Sequence, residues 1–116
     1  MTGPAPPAPL GDFASDVLDT VEAIPPGHVM SYGDIAEYLG RGGPRQVGRV
    51  LATSGGAVPW WRVVHADGSL LAGHERAALG HYRDEGTALR PAAGGGLPGI
   101  DMRRARWHGP LPPAGH

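Results

Sequence analysis

Two adjacent indoles, a run of arginines and a complete absence of thiols set the chemistry open to this chain. Trp60 and Trp61 sit in Pro59-Trp60-Trp61-Arg62-Val63-Val64, and there is no cysteine anywhere. An indole is neither a nucleophile nor an acid–base group at neutral pH. It is a flat apolar surface, and stacking a nucleic-acid base on such a surface contributes about 1–3 kcal/mol. Arg41, Arg45 and Arg49 offer planar, permanently charged forks that suit phosphates and base stacking. Without cysteine, thiolate nucleophiles, disulfides and thiolate metal sites are all excluded. The six histidines are scattered. Only His74 and His81, seven apart, fall at helical spacing, and two imidazoles without a third ligand read as a solvated helix face, so no metal is expected. Gly40-x-Gly42-Gly43 reads as a turn and not as a phosphate-cradling loop, so no cofactor is expected either.

These residues must be positioned by short elements. Phe13, Val17, Leu18 and Val21 recur at helical spacing over 12–23, and Pro25-Pro26-Gly27 ends that helix. Val29-Met30 is a short extended link. Ser31-x-x-Asp34 is a variant capping box that opens a second helix, with Ile35, Ala36 and Leu39 as its apolar stripe. After the turn at 40–43, Pro44 suits the first position of a third helix reaching about residue 53, with Val47, Val50 and Leu51 inward. Arg45 and Arg49 then share its outer face, where like charges repel unless something anionic lies opposite. Helix, glycine turn and helix with an outward arginine pair form a helix-turn-helix layout. Further on, 62–65 and 69–71 flank Ala66-Asp67-Gly68 and predict a small hairpin. Residues 74–86 predict a last helix with Ala78, Leu79 and Tyr82 inward, and 100–107 a strand or a segment packed along the domain.

The 116 residues suffice for one small domain, diluted by 20 Gly and 13 Pro that concentrate near the ends. The expected organisation is a disordered Pro-rich head at 1–11, a folded unit at 12–107 and a disordered tail at 108–116. The start lacks the basic-then-apolar pattern of a signal peptide, and no apolar run approaches membrane length, so a soluble, cytoplasmic, monomeric protein without membrane contact is expected. The formal net charge of −1 does not mark a nucleic-acid binder, but its distribution does. Between Tyr38 and Asp67 lie Arg41, Arg45, Arg49 and Arg62 and no carboxylate, a local positive segment.

Three ordered motifs carry a resemblance. The stretch from Ile24 to Ala36, Ile-Pro-Pro-Gly-His-Val-Met-Ser-Tyr-Gly-Asp-Ile-Ala, resembles the opening of the DNA-binding domain of the O6-alkylguanine-DNA alkyltransferases. Pro44-Arg45-Gln46-Val47-Gly48 is similar to the start of that family's recognition helix. Pro59–Val64 resembles its Pro-Cys-His-Arg-Val-Val active-site segment, with Trp60 for the nucleophilic cysteine and Trp61 for the relay histidine. The resemblance runs over about 12–86, and no counterpart of the family's N-terminal domain is expected. With the Trp-for-Cys exchange and the ending Ile100-Asp101-Met102-Arg103-Arg104-x-Arg106-Trp107, the chain is similar to the alkyltransferase-like proteins, which bind O6-alkylguanine in DNA without removing the alkyl group and channel it to nucleotide excision repair.

The resemblance implies a mainly helical α/β domain, winged-helix-like, that enters the minor groove of double-stranded DNA. It implies that Tyr32 crowds the phosphate beside the extruded nucleotide and contacts the base. Arg45 would fill the gap in the stack, and Ser31, Gln46, Arg41 and Arg49 would complete the DNA-binding set. The lesion pocket would comprise Tyr32, Leu51, Pro59, Trp60, Trp61, Arg62, Val63, Leu71, Gly73 and His74. Trp60 is its wall, Val63 offers a carbonyl to the guanine amine, and the loop 71–76 closes over the base. Trp61 and Arg62 are expected to be largely structural. Relatives place a basic residue where Gly73 stands. The expected partners are DNA containing O6-alkylguanine and excision-repair proteins, in the cytoplasm at the nucleoid. Two rivals remain open: a regulatory DNA-binding module that recognises no lesion, and an enzyme using His65 or His74 in the inherited pocket.

Overall fold

The protein is represented by a computed structural model that describes residues 9–92, 94 and 96–109. The expectations for residues 1–8 and 110–116 lie outside the described residues. Helix α1 spans Pro9–Ala23, so it starts three residues earlier than the apolar spacing predicted and reaches into the Pro-rich head. Within it Phe13, Val17 and Val21 are buried at four-residue intervals, while Asp12, Asp19 and Glu22 stay exposed. At the other end, Gly109 is buried although the tail was expected to begin at residue 108.

Strand β1 (Met30–Ser31) leads directly into helix α2 (Tyr32–Leu39). The capping box is present in full: Asp34 N–H donates to Ser31 Oγ at 2.9 Å, and Ser31 N–H donates to Asp34 Oδ2 at 3.0 Å. Gly40 ends the helix in the left-handed region. The turn that follows requires glycine at position 42, where φ is +72° and a Cβ would lie 2.7 Å from Phe13 Cζ. Helix α3 (Pro44–Ser54) begins with Pro44 in its first turn. It packs on both α1 and α2 through buried Val47 and Val50. The helix-turn-helix therefore forms as the spacing implied.

Two short 3-10 turns, Gly55–Ala57 and Trp60–Arg62, carry the chain to strand β2 (Val63–Val64). The predicted hairpin over 62–71 does not form as a ladder. Strand β2 pairs instead with β1, in parallel, with Met30 opposite Val63 and Ser31 opposite Val64. Both valines are buried, Val63 in one apolar cluster and Val64 in another. A hairpin with one face in solvent could not bury both, whereas a ribbon between two clusters does. Residues 65–69 close as a tight turn, with Gly68 N–H donating to His65 O at 2.8 Å.

Helix α4 (Glu75–Glu85) buries Ala78, Leu79 and Tyr82 as predicted. Strands β3 (Leu89–Arg90) and β4 (Gly99–Ile100) pair antiparallel, and the short helix α5 (Met102–Ala105) follows. The chain then returns to the centre. Val29 N–H donates to Ala105 O at 2.9 Å, and Trp107 N–H donates to Val29 O at 2.7 Å. The segment before β1 is thus held by the end of the folded chain, while β1 itself pairs with the strand that follows the tryptophan pair. The first apolar cluster joins α1, α2 and α3 with Met30 and Val63, and the second joins α4, Val29, Val64, Ile100 and Ala105. The result is the mainly helical α/β domain that was expected.

Candidate nucleic-acid interface

Tyr32 is the first residue of α2, presented by the capping box behind it. Its ring lies 5.3 Å from that of His65, and Gly48 of α3 faces it: a Cβ there would stand 3.9 Å from two ring carbons. Burial raises the phenol above its ordinary pKa, so it acts as a neutral hydrogen-bonding group. Ser31 was expected to contact DNA. It is buried, and its hydroxyl is committed to the cap of the helix that Tyr32 begins.

Tyr32 forms one lip of a pocket of about 430 Å3 whose other walls are Gly48, Leu51, Ala52, Gly55, Gly56, Trp60, Leu71, Ala72 and His74. That size falls in the ~300–1,000 Å3 range typical of small-molecule sites. Tyr32, His74 and the indole N–H of Trp60 are the polar groups among its lining side chains. Of the predicted pocket residues, Tyr32, Leu51, Trp60, Leu71 and His74 meet here, and Gly73 adjoins the rim. Pro59, Trp61, Arg62 and Val63 do not line it. The 3-10 turn and the start of β2 direct the last three elsewhere: Val63 is buried in the core, and Trp61 and Arg62 point to α4.

That second direction builds a brace. The Glu85 carboxylate accepts from Trp61 Nε1 at 2.9 Å, from Arg62 Nε at 3.1 Å and Nη2 at 2.7 Å, and from Gly27 N at 3.3 Å. Arg62 Nη1 also donates to Ile24 O at 2.9 Å. Burial alone would push the Glu85 carboxyl up. The hydrogen bonds from Arg62, Trp61 and Gly27, with the Arg62 charge, outweigh that and hold it below the usual range. The Trp61 ring stacks on His81 with centroids 3.6 Å apart and planes 5° from parallel. Trp60 stands edge-on to Trp61, His74 and His81. The pocket wall is therefore wedged between a braced indole and two imidazoles.

Arg45, Gln46 and Arg49 are exposed on α3. Gly48 and Ala52, both lining the pocket, follow Arg45 by three and seven residues and so share its helical stripe. Arg45 therefore stands on the same face of α3 as two of the pocket's lining residues. The three ion pairs among the described residues use Arg41, Arg62 and Arg106 and involve neither Arg45 nor Arg49. Arg41 is not free as expected: Asp16 of α1 binds it, and it lies 5.8 Å from the Phe13 ring centroid. Among the described residues no group of three or more His, Asp or Glu could hold a metal, and no helix is long and apolar enough to cross a membrane.

Ala72 lies in the loop expected to close over the base, whereas Gly48, Ala52, Gly55 and Gly56 were not foreseen as lining. Their spacing on α3 and its C-terminal turn was the available signal, but in a chain with 20 glycines it carries little weight.

Residues 12–86 match the model of the DNA-binding domain of 6-O-methylguanine DNA methyltransferase. The chain belongs to that family. Within this methyltransferase DNA-binding-domain family it is 38% identical over 104 residues to a DNA base-flipping protein of Escherichia coli, covering 83% of this chain and 74% of the relative. It is also 38% identical over 64 residues to alkyltransferase-like protein 1 of Schizosaccharomyces pombe, covering 53% and 59% of the two chains. In structure it is similar to an S. pombe alkyltransferase-like protein crystallised with damaged DNA containing O6-carboxymethylguanine. That match has a TM-score of 0.73 at 28% identity and covers 84% of this chain and 95% of the other. A variant of the Mycobacterium tuberculosis O6-methylguanine methyltransferase matches with a TM-score of 0.52 at 31% identity, over 71% of this chain and 52% of the enzyme.

Proposed function

We propose that this protein is a non-enzymatic sensor of O6-alkylguanine in duplex DNA. It binds through the minor groove, extrudes the damaged base with Tyr32, fills the vacated stack with Arg45 and holds the base against Trp60. The observation that carries this reading is the pocket itself. An apolar cavity of about 430 Å3 lies beneath the first residue of α2 and along α3, and its wall includes Trp60, which by the resemblance stands where the family carries its nucleophile. Transfer of an alkyl group needs a nucleophile that can attack carbon, and the chain has no cysteine to supply one. What remains is binding. Flipping costs a few kcal/mol, least for a weakly paired base, and this favours the lesion before any contact is made.

The names of the relatives support base flipping and damaged DNA as the class of ligand. Because the alkyl group stays in place, the complex would serve as a persistent flag, and nucleotide excision repair proteins are the partners that would read it. The protein would act as a monomer in the cytoplasm at the nucleoid, without a cofactor.

One titration tests the reading: short duplexes carrying guanine, O6-methylguanine or a bulkier O6-alkylguanine, scored for affinity and for alkyl loss. Tighter binding of both lesions with the alkyl group fully retained is expected. Equal affinity for all three duplexes would point instead to a regulatory DNA-binding module. Recovery of dealkylated guanine would overturn the non-enzymatic claim.

A further inference from the structure

We propose that Arg106, beyond the residues matched by the family's DNA-binding domain, is a positioning residue for Tyr32 and acts through Asp34. The proposal rests on the reading of Tyr32 as the residue that displaces the base. Arg106 grips the Asp34 carboxylate with both edges of its fork, Nε donating to Oδ2 at 2.9 Å and Nη2 to Oδ1. Asp34 Oδ2 also accepts from Ser31 N, and Asp34 N–H donates to Ser31 Oγ. One carboxylate thus joins the last part of the folded chain to the cap of the helix that begins with Tyr32. The backbone of Arg106 is anchored as well, since the bonds of Val29 to Ala105 O and Trp107 N pin the residues on either side of it. The grip is therefore built on a fixed frame and not on a loose tail.

Two physical needs make this pair more than a surface contact. Helix α2 has only eight residues, too few to be stable alone, so its first turn depends on its cap. Tyr32 sits in that turn, and a residue that must push a base from its stack cannot stand on a turn that frays. The second need is electrostatic. A free carboxylate two residues after Tyr32 would repel the phosphates that Tyr32 must approach, and Arg106 neutralises it. The geometry also differs from an ordinary exposed pair, whose value is small. It is bidentate, and the Asp34 side chain is only 12% exposed against 45% for Arg106. The titratable groups facing the pair are Glu37, which adds to the field on Arg106, and His108, which lines the same cleft.

The test compares wild type with Arg106→Gln and Arg106→Lys, each also on a Tyr32→Ala background. In the free protein, Arg106→Gln should speed hydrogen exchange at Ser31 N–H and Asp34 N–H about fivefold, the scale of a lost helix cap, with Val63 and Val64 amides unchanged. Arg106→Lys restores charge without the fork and should recover only part. With DNA, Arg106→Gln should lower the lesion-to-guanine affinity ratio by a similar factor in the presence of Tyr32 and have no effect once Tyr32 is Ala. If exchange rises equally at all amides, or if the losses add on the Tyr32→Ala background, the positioning role is overturned. Failure of the function proposed above has a different signature: wild type would then show no lesion preference. The exchange at Ser31 and Asp34 would still decide whether Arg106 positions Tyr32.

Discussion

Trp61 and Glu85, 24 residues apart, are joined by an indole N–H to carboxylate hydrogen bond of 2.9 Å. The same carboxylate holds Arg62 in a largely buried ion pair, with side chains 14% and 13% exposed. The segment that carries the pocket wall is thereby strapped to α4. The second indole of the pair thus belongs to the scaffold. Trp61→Phe keeps a ring to stack on His81 but loses the charge-assisted bond, which is worth about 1.5–3 kcal/mol. Glu85→Gln leaves the Arg62 guanidinium poorly paired, at a cost of about 3–5 kcal/mol. Urea unfolding should rank wild type above Trp61→Phe and Trp61→Phe above Glu85→Gln. Lesion affinity of the folded Trp61→Phe protein should match wild type. A Trp61→Phe protein as stable as wild type would refute the brace.

Acid should loosen the same brace. The Glu85 and Asp34 carboxyls are both held below their ordinary pKa. For Asp34, burial would raise it, and the bonds from Arg106 and Ser31 with the Arg106 charge overcome that. A carboxyl whose pKa is lower folded than unfolded adds stability above the unfolded value, and that stability is lost as pH falls through the folded one. Stability measured by urea titration should be level near neutrality and decline once pH drops below about 4.5, where unfolded Glu and then Asp begin to bind protons. Glu85→Gln and Asp34→Asn should each lower the plateau and flatten the decline. An unchanged slope in both variants would show that other groups control it.

Under the proposed function, Trp60 should bear on binding in a way that Trp61 does not. If it is the surface against which the extruded base rests, Trp60→Ala should weaken lesion binding by about 1–3 kcal/mol, and Trp60→Phe by less. Binding to undamaged duplex, which leaves the pocket unused, should not change. Fluorescence anisotropy with paired duplexes measures both. A uniform loss on damaged and undamaged DNA would mean that Trp60 only supports the fold.

The two recognition-helix arginines should separate in the same assay. Arg45 shares the α3 face of Gly48 and Ala52, and by the resemblance would fill the stack, whereas Arg49 sits one turn on and would meet a phosphate. Arg45→Ala should reduce the preference for the lesion. Arg49→Ala should weaken all duplexes alike and lower the salt dependence by about one counterion. An Arg45→Ala protein that retains full lesion preference would remove the assignment of Arg45 to the stack.

Much of this was legible because it is local. Ser31 and Asp34 announce a cap three residues apart, Pro44 announces a helix start, and Arg45 and Arg49 fall on one face by spacing alone. What could not be read is what chain distance conceals. Val63 and Val64 look like a hairpin arm, yet their partners Met30 and Ser31 lie 33 residues earlier in the opposite sense to that expected, parallel and not antiparallel. Strands of two residues leave no alternation to read. The resemblance put Trp61, Arg62 and Val63 in the pocket set while giving Trp61 and Arg62 a largely structural part. A 3-10 turn rotates successive side chains by about a third of a circle, so neighbours of Trp60 go to different places and the pocket's lining could not be read from adjacency. Glu85 gave no sign of its role, since a carboxylate at the end of an amphipathic helix is ordinarily solvated.

Arg41 was likewise expected to face phosphate alone, and its contact with Asp16 leads to a further prediction. Asp16 lies on α1 and Arg41 in the turn between α2 and α3, so if Arg41 meets a DNA phosphate as proposed, the carboxylate would compete with it. Both side chains are about half exposed, which keeps the pair weak. Asp16→Asn removes the competitor and one negative charge from the approach. Affinity should rise for damaged and undamaged duplexes by one common factor, up to about fivefold at low salt. The gain should fade toward 1 M salt, where screening acts within about 3 Å. Arg41→Ala should lower both affinities, and Asp16→Asn should then add only the effect of its lost charge. A change in lesion preference on Asp16→Asn would contradict this reading, because Arg41 lies outside the pocket and can add affinity only to the backbone that every duplex shares.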